Sequence, residues 1–277
     1  VTTIRQQLAD LSLAANKRLG QHFLVNESPA RRIIDFAAVT EGDHVIEIGP
    51  GLGALTWLLA ERAAALTAVE IDRGLAGHLA AEVDRRGLAN VRIVHADAVG
   101  FDYRAAAAGR RLKVVGNLPY NVTGPILFDL IHNRPRAARP TLLIQAEVAD
   151  RLAAAPGGRD YGVLSVLVAA CGRLTRGETV GPESFFPRPN VISRLIAIDF
   201  GSEADLGDDF VRVVKAAFSS RRKTLQNSLA GGLGLSKAAA GDLIVAAGID
   251  PRCRAETLDS DQFAALALAW RRLTGRE

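Results

Sequence analysis

The stretch Val45-Ile46-Glu47-Ile48-Gly49-Pro50-Gly51-Leu52-Gly53 decides the fold of this chain. A short apolar run ends in glycines at 49, 51 and 53, and residues 54–63 follow with helical spacing. Glycine lets a strand turn tightly into a helix and lets the backbone approach a ligand without a Cβ clash. A loop of this kind at the carboxyl end of a central strand is where open α/β sheets bind nucleoside cofactors. Glu70 closes the next apolar run, where a carboxylate can accept hydrogen bonds from both ribose hydroxyls. The loop alone leaves the cofactor open. Gly49, Gly51 and Ala54 also satisfy a dinucleotide fingerprint, and a tight turn with no ligand is the plainer alternative.

The alternation continues outward on both sides. Residues 66–71, 91–94, 112–115 and 141–144 read as further strands, and 75–86 and 125–132 as helices between them. Upstream, Ser28-Pro29 reads as an N-cap with proline at the first helical position. Residues up to about 19 are polar and irregular. Strands alternating with helices at this spacing imply a parallel sheet covered on both faces. Residues 163–170 and 195–200 look like two more strands. Beyond 201 the β signal stops, and 208–229, 236–247 and 261–273 read as helices. The expected domains are therefore an α/β unit over 1–201 and a small all-helical unit over 202–277.

Two features favour S-adenosylmethionine over NAD. Glu47 stands two residues before the first loop glycine, an acidic position that the amino-acid part of a sulfonium cofactor can exploit. Asp97 follows the third strand, where it can accept from an adenine amino group. Asn117-Leu118-Pro119-Tyr120 then ends the fourth strand. A nucleobase amino nitrogen is a poor nucleophile because its lone pair is delocalised into the ring. Acceptors that hold both amino hydrogens, here the Asn117 side-chain oxygen and the Leu118 carbonyl, aim that lone pair at a methyl group. Pro119 stiffens the turn and biases Leu118 toward extended backbone, and Tyr120 offers a ring face for stacking. In isolation the four residues are an ordinary turn; after a cofactor half-site they are an acceptor site.

Composition sets the outer limits. The chain has 277 residues, 48% hydrophobic and 23% charged, which suits a globular protein. A net charge of +4 and a pI of about 9.4 suit a polyanionic partner without requiring one. Cys171 and Cys253 stand far apart, so neither a disulfide framework nor a zinc site is expected, and a reducing cytoplasm fits. No apolar run is long enough for a membrane span or a secretory signal. The chain contains no methionine, so its start is expected upstream of Val1. His78, His95 and His132 have no partner at metal or triad spacing, and Trp57 and Trp270 read as packing residues.

At this point the chain resembles the KsgA family, the adenine N6,N6-dimethyltransferases of small-subunit ribosomal RNA, relatives of the erythromycin-resistance methyltransferases. The likeness runs from about Arg18 to the C-terminus. It is carried by Leu19-Gly20-Gln21-His22-Phe23-Leu24, the glycine loop, Val69-Glu70-Ile71-Asp72, Asp97-Ala98, Asn117-Leu118-Pro119-Tyr120-Asn121, Gln145-Ala146-Glu147-Val148-Ala149 and Phe185-Phe186-Pro187-Arg188-Pro189-Asn190-Val191. Residues 217–225, Ile249-Asp250-Pro251 and Arg254-Ala255-Glu256 complete it.

The resemblance implies a Rossmann-like methyltransferase sheet with a helical C-terminal domain. It implies cofactor contacts at His22, Leu24, Gly49, Glu70, Asp97 and Asn117, with Gln21, Glu47, Gly51, Gly53, Ile71 and Ala98 in the same set. Phe185 becomes the second wall of the base pocket, opposite Tyr120. Three positions depart from the family: His22 stands where Asn is frequent, Ala146 where Lys is frequent, and Gln226 where a basic residue is frequent.

The implied reaction is dimethylation of two adjacent adenosines near the 3′ end of 16S rRNA, by a cytoplasmic monomer that acts on the small ribosomal subunit without metal or membrane. Arg221, Arg222 and Lys223, read as part of a helix, would neutralise phosphates, together with Lys17-Arg18 and Arg134, Arg136 and Arg139. An adenine placed between aromatic walls must leave its stack, which favours loop adenines. Large-subunit adenine methylation shares this catalytic core, and a docking role in subunit assembly is a third reading.

Overall fold

The computed structural model describes residues 3–107, 109–134, 136–201, 207–220 and 222–275. The chain divides into two units, Val1–Ala149 with Leu174–Phe200, and Asp150–Arg173 with Gly201–Glu277. In chain order the elements up to the end of the first segment are α1 (Ile4–Asp10), β1 (Phe23–Leu24), α2 (Glu27–Ala37), β2 (His44–Ile48), α3 (Thr56–Ala60), β3 (Ala65–Glu70), α4 (Arg73–Arg86), β4 (Val91–His95), α5 (Tyr103–Ala107), β5 (Leu112–Asn117), α6 (Thr123–His132), β6 (Ala137–Gln145) and α7 (Ala146–Leu152). There follow α8 (Val163–Cys171), β7 (Gly172–Val180), β8 (Phe185–Phe186), β9 (Ser193–Phe200), α9 (Gly207–Ala217), α10 (Leu225–Leu233), α11 (Lys237–Ala246) and α12 (Ser260–Thr274).

The first unit is built on one seven-stranded sheet, ordered β4-β3-β2-β5-β6-β9-β7. Strands β2 to β6 run parallel, and β9 pairs antiparallel with β6. Strands covered on both faces read as unbroken apolar runs. Val45, Ile46 and Ile48 of β2, Val114 and Val115 of β5 and Leu142 to Ile144 of β6 are all buried. Each such side chain contributes roughly 1.5–3 kcal/mol relative to exposure. The strand order reverses between β2 and β5, which opens a crevice at their carboxyl ends. The glycine loop and the Asn117 turn leave the sheet at that crevice.

Local chemistry fixes the helices around it. Asp72 caps α4 by accepting from the amides of Gly74 and Leu75 at 2.9 and 3.1 Å, and Gly87 ends the helix at φ 65°. Helix α2 starts two residues earlier than its Ser-Pro signal suggests: Asn26 is its N-cap and Pro29 is its third residue. The first four amides of a helix lack intrahelical partners, so proline costs no hydrogen bond there either. Helix α1 forms where the sequence reads as irregular. Thr3 caps it by accepting from Gln6, and Leu8 packs with Phe23 and Leu75.

The second unit is more helical than its sequence suggests. Residues 163–170, read as a strand, form α8. A short buried apolar run has no period that separates strand from helix, and nearly every side chain from Ser165 to Val168 is buried. The Ser165 hydroxyl accepts from the Gly162 amide at 3.0 Å and donates to the Arg151 carbonyl at 2.6 Å, which anchors the helix start. Residues 208–229, read as one helix, are two. Thr224 caps α10, and the Ser219 and Ser228 hydroxyls bond carbonyls across the break. The expected boundary at 201/202 also shifts, because 150–173 belongs with the helices of the second unit. Residue 202 itself lies outside the described residues.

Candidate active site

A cavity of about 330 Å³ opens at the carboxyl ends of β2, β3, β4 and β5, within the usual size of a ligand pocket. Every residue expected to hold the cofactor lines it except Gly53, which turns at φ 88° against Trp57. Gly51 is required twice over. Its φ is 60°, and a Cβ there would stand 2.9 Å from the Phe23 ring. Its amide donates to Glu70 Oε2 at 3.0 Å, while the Asp72 amide donates to Oε1 at 2.9 Å. A carboxylate offers about four lone-pair sites. Glu70 therefore keeps acceptor capacity on both oxygens for a ribose diol. Burial raises its pKa, against the lowering by those two amides.

Glu47 is 1% exposed, lines the same cavity, and neither of its oxygens has a hydrogen-bond partner among the described residues. Burial pushes its pKa up to about 8; the nearby Thr56 hydroxyl opposes the shift without completing a geometric hydrogen bond, and the Glu70 charge adds to it. Two buried carboxylates on one cavity suit a ligand that brings positive charge. S-adenosylmethionine carries both a sulfonium and an ammonium, so the residues present fit it. Asp97 stays exposed, with Oδ1 accepting from the Val99 amide at 2.8 Å and its other oxygen available to an adenine amino group.

The acceptor turn closes the cavity's other side. The Leu118 amide donates to the Leu143 carbonyl at 3.0 Å, which fixes the turn to β6. Asn117 Nδ2 donates to the His22 carbonyl at 2.9 Å. The carboxamide nitrogen is thereby engaged and its oxygen left for a substrate donor. The Tyr120 hydroxyl pairs with Ser193 Oγ at 2.8 Å, and its ring stacks on His22 with centroids 5.3 Å apart. Burial raises the Tyr120 pKa, so the phenol keeps its proton.

Phe185 does not line this cavity. It is 4% exposed and packs in the core with Leu24, Ile33, Leu143 and Leu195. Its strand β8 pairs with β1, Leu24 opposite Phe185 and Phe23 opposite Phe186. The aromatic ring that meets Tyr120 is His22, and nothing in the spacing of His22 pointed to that contact. Also unforeseen are Ile4 and Gln7 of α1, Ser193, and Trp57, which lines the cavity and carries the Arg86 guanidinium 4.1 Å from its ring centroid.

The expected basic groups fare unequally. Arg134 is 6% exposed and donates to the Ile131 carbonyl, and Arg139 pairs with Asp199 at 3.0 Å. Arg134 is thus committed inside the fold, while Arg139 is partly exposed in an ion pair. Arg222 and Lys223 are exposed, in the turn between α9 and α10 rather than in a helix, and Arg221 lies outside the described residues. Among the described residues no cluster of His, Cys, Asp or Glu could hold a metal, and no single helix is long and apolar enough to cross a membrane.

A family model described as ribosomal RNA adenine dimethylase matches residues 12–269. The chain belongs to this family. Among the relatives of this adenine dimethylase are proteins named ribosomal RNA small subunit methyltransferase A. The one from Desulforapulum autotrophicum is 42% identical over 270 residues, covering 96% of this chain and 95% of its own. That from Moorella thermoacetica is 44% identical over 268 residues, with 92% of each chain covered. The Streptomyces coelicolor protein is 42% identical over 272 residues, covering 95% of this chain and 94% of its own.

Solved structures agree on the fold. A dimethyladenosine transferase from Plasmodium falciparum superposes with a TM-score of 0.76 at 24% identity, covering 91% of this chain and 98% of its own. The 23S rRNA methyltransferase ErmE gives 0.62 at 25% identity, covering 89% and 98%. As an adenine dimethylase, the chain is a methyltransferase that uses S-adenosylmethionine and acts on ribosomal RNA.

Proposed function

We propose that this dimethylase methylates the N6 amino groups of two adjacent adenosines near the 3′ end of 16S rRNA, within the small ribosomal subunit. The observation that carries the reading is the Asn117 carboxamide, held by His22 so that its oxygen faces a cavity whose far end suits a nucleoside cofactor. The relatives from Desulforapulum, Moorella and Streptomyces, named for the small subunit, support that target over the large one.

S-adenosylmethionine supplies, when bound, a methyl group on a sulfonium leaving group. Glu70 and Asp97 would hold its nucleoside part, and Glu47 would offer a carboxylate to its positive charge. Asn117 Oδ1 and the Leu118 carbonyl accept the two hydrogens of the adenine amino group and orient the nitrogen lone pair. Tyr120 supports the flat face of the base. Positioning and electrostatics of this kind account for large accelerations without a strong base. A monomer working in the cytoplasm completes the proposal.

The test offers the enzyme labelled methyl donor with small subunits that lack the modification, and separately with large subunits. Label on the small subunit supports the reading. Label confined to the large subunit overturns the target while leaving the chemistry.

A further inference from the structure

We propose that His22, beyond the cofactor contact implied for its position, is the positioning residue of the acceptor turn, its imidazole setting the plane of Tyr120. Three segments meet at this one residue. Its carbonyl accepts from Asn117 Nδ2 at 2.9 Å, its Nδ1 lies 2.6 Å from the Pro187 carbonyl, and its ring stacks on Tyr120 at an interplanar angle of 28°. A carbonyl can only accept, so the contact with Pro187 requires a hydrogen on Nδ1. That bond fixes the rotation of the ring. Tyr120 is then held at its hydroxyl by Ser193 and across its face by His22. No other ring covers Tyr120 among the described residues, since Phe185 is drawn into the core. An Asn at this position can keep the donor but offers no ring, so the stack needs an aromatic side chain here.

The inference rests on base methylation at the Asn117 turn. It is tested with His22→Ala, His22→Phe and His22→Asn on unmethylated small subunits, reading kcat, subunit KM and cofactor Kd separately. Misplacing reacting groups by about 1 Å costs up to about 100-fold. The expected result is a kcat lower by about 10- to 100-fold in His22→Ala, with Kd and KM little changed, and recovery of most of that loss in His22→Phe. His22→Asn stays close to the alanine variant. In a double-mutant cycle, His22→Ala adds little once Tyr120 is alanine, because residues that act through one another are not additive.

Additive effects, equal losses in the alanine and phenylalanine variants, or a defect confined to cofactor Kd overturn the proposal. Should His22→Ala fail to fold, the comparison of His22→Phe with His22→Asn decides alone. A wild-type enzyme that methylates no adenine N6 refutes the function itself and not this positioning role.

Discussion

A buried carboxyl group without a well-placed donor holds its proton more tightly, and Glu47, which no described residue engages in a hydrogen bond, is in that situation. Its folded pKa of about 8 lies above its ordinary 4.5. Between those values the folded protein holds a proton that the unfolded chain releases, so Glu47 contributes less to stability as pH rises through that window. A cation in the cavity favours the ionised form. Binding of S-adenosylmethionine is therefore expected to release protons near neutral pH and to tighten from pH 6 to 8 (calorimetry in buffers of different ionisation heat reads both). Glu47→Gln should abolish the release; an undiminished release places the titrating group elsewhere. At the acceptor end, Asn117→Ala removes an acceptor for the substrate amino group and leaves the other cofactor-lining residues in place. Single-turnover transfer should fall about 10²- to 10³-fold, as when one preorganised hydrogen-bonding group is lost, while calorimetry finds cofactor binding largely intact.

At the scale of elements, the glycine loop is the part least tolerant of change. Gly51→Ala forces a side chain into left-handed backbone, which costs roughly 1–2 kcal/mol, and presses it against the Phe23 ring. Thermal unfolding should shift down and cofactor affinity should drop in the same variant. Unchanged affinity would separate the loop from the cofactor. This loop was also the most legible element of the sequence, because strand, glycine spacing and the following carboxylate each carry their own signal. The elements misread lacked such signals. α8 is an apolar run buried on all sides, and α9 and α10 are parted by hydroxyl-to-carbonyl bonds that leave no glycine or proline as a mark. In the site itself, the residues that chain-local motifs bring to the cavity were legible, down to Asp97 and Asn117. The His22–Tyr120 stack and the burial of Phe185 depend on pairing between residues far apart in sequence, which spacing does not encode.

For the whole molecule, exposed positive charge is what can meet the phosphates of RNA. Arg222 and Lys223 are exposed, whereas Arg134 is buried and Arg139 is paired with Asp199. Replacing Arg222 and Lys223 with alanine should make the dependence of log affinity on log salt shallower by about 1.4 to 1.8, the value for two lost phosphate contacts. Arg134→Ala should leave that slope alone and lower the unfolding temperature. An unchanged slope in the first variant would remove the turn between α9 and α10 from the interface. The domain plan was only half legible: the helical C-terminal part was evident from the loss of β signal after 201, but the inclusion of 150–173 with it is a tertiary choice. The central claim is that the Asn117 turn delivers methyl groups to adenine N6. Mass spectrometry of nuclease digests from small subunits treated with the enzyme tests it most directly. The expected product is N6,N6-dimethyladenosine at two neighbouring positions near the 3′ end of the rRNA. Methyl groups on a ring nitrogen or a ribose hydroxyl would contradict it.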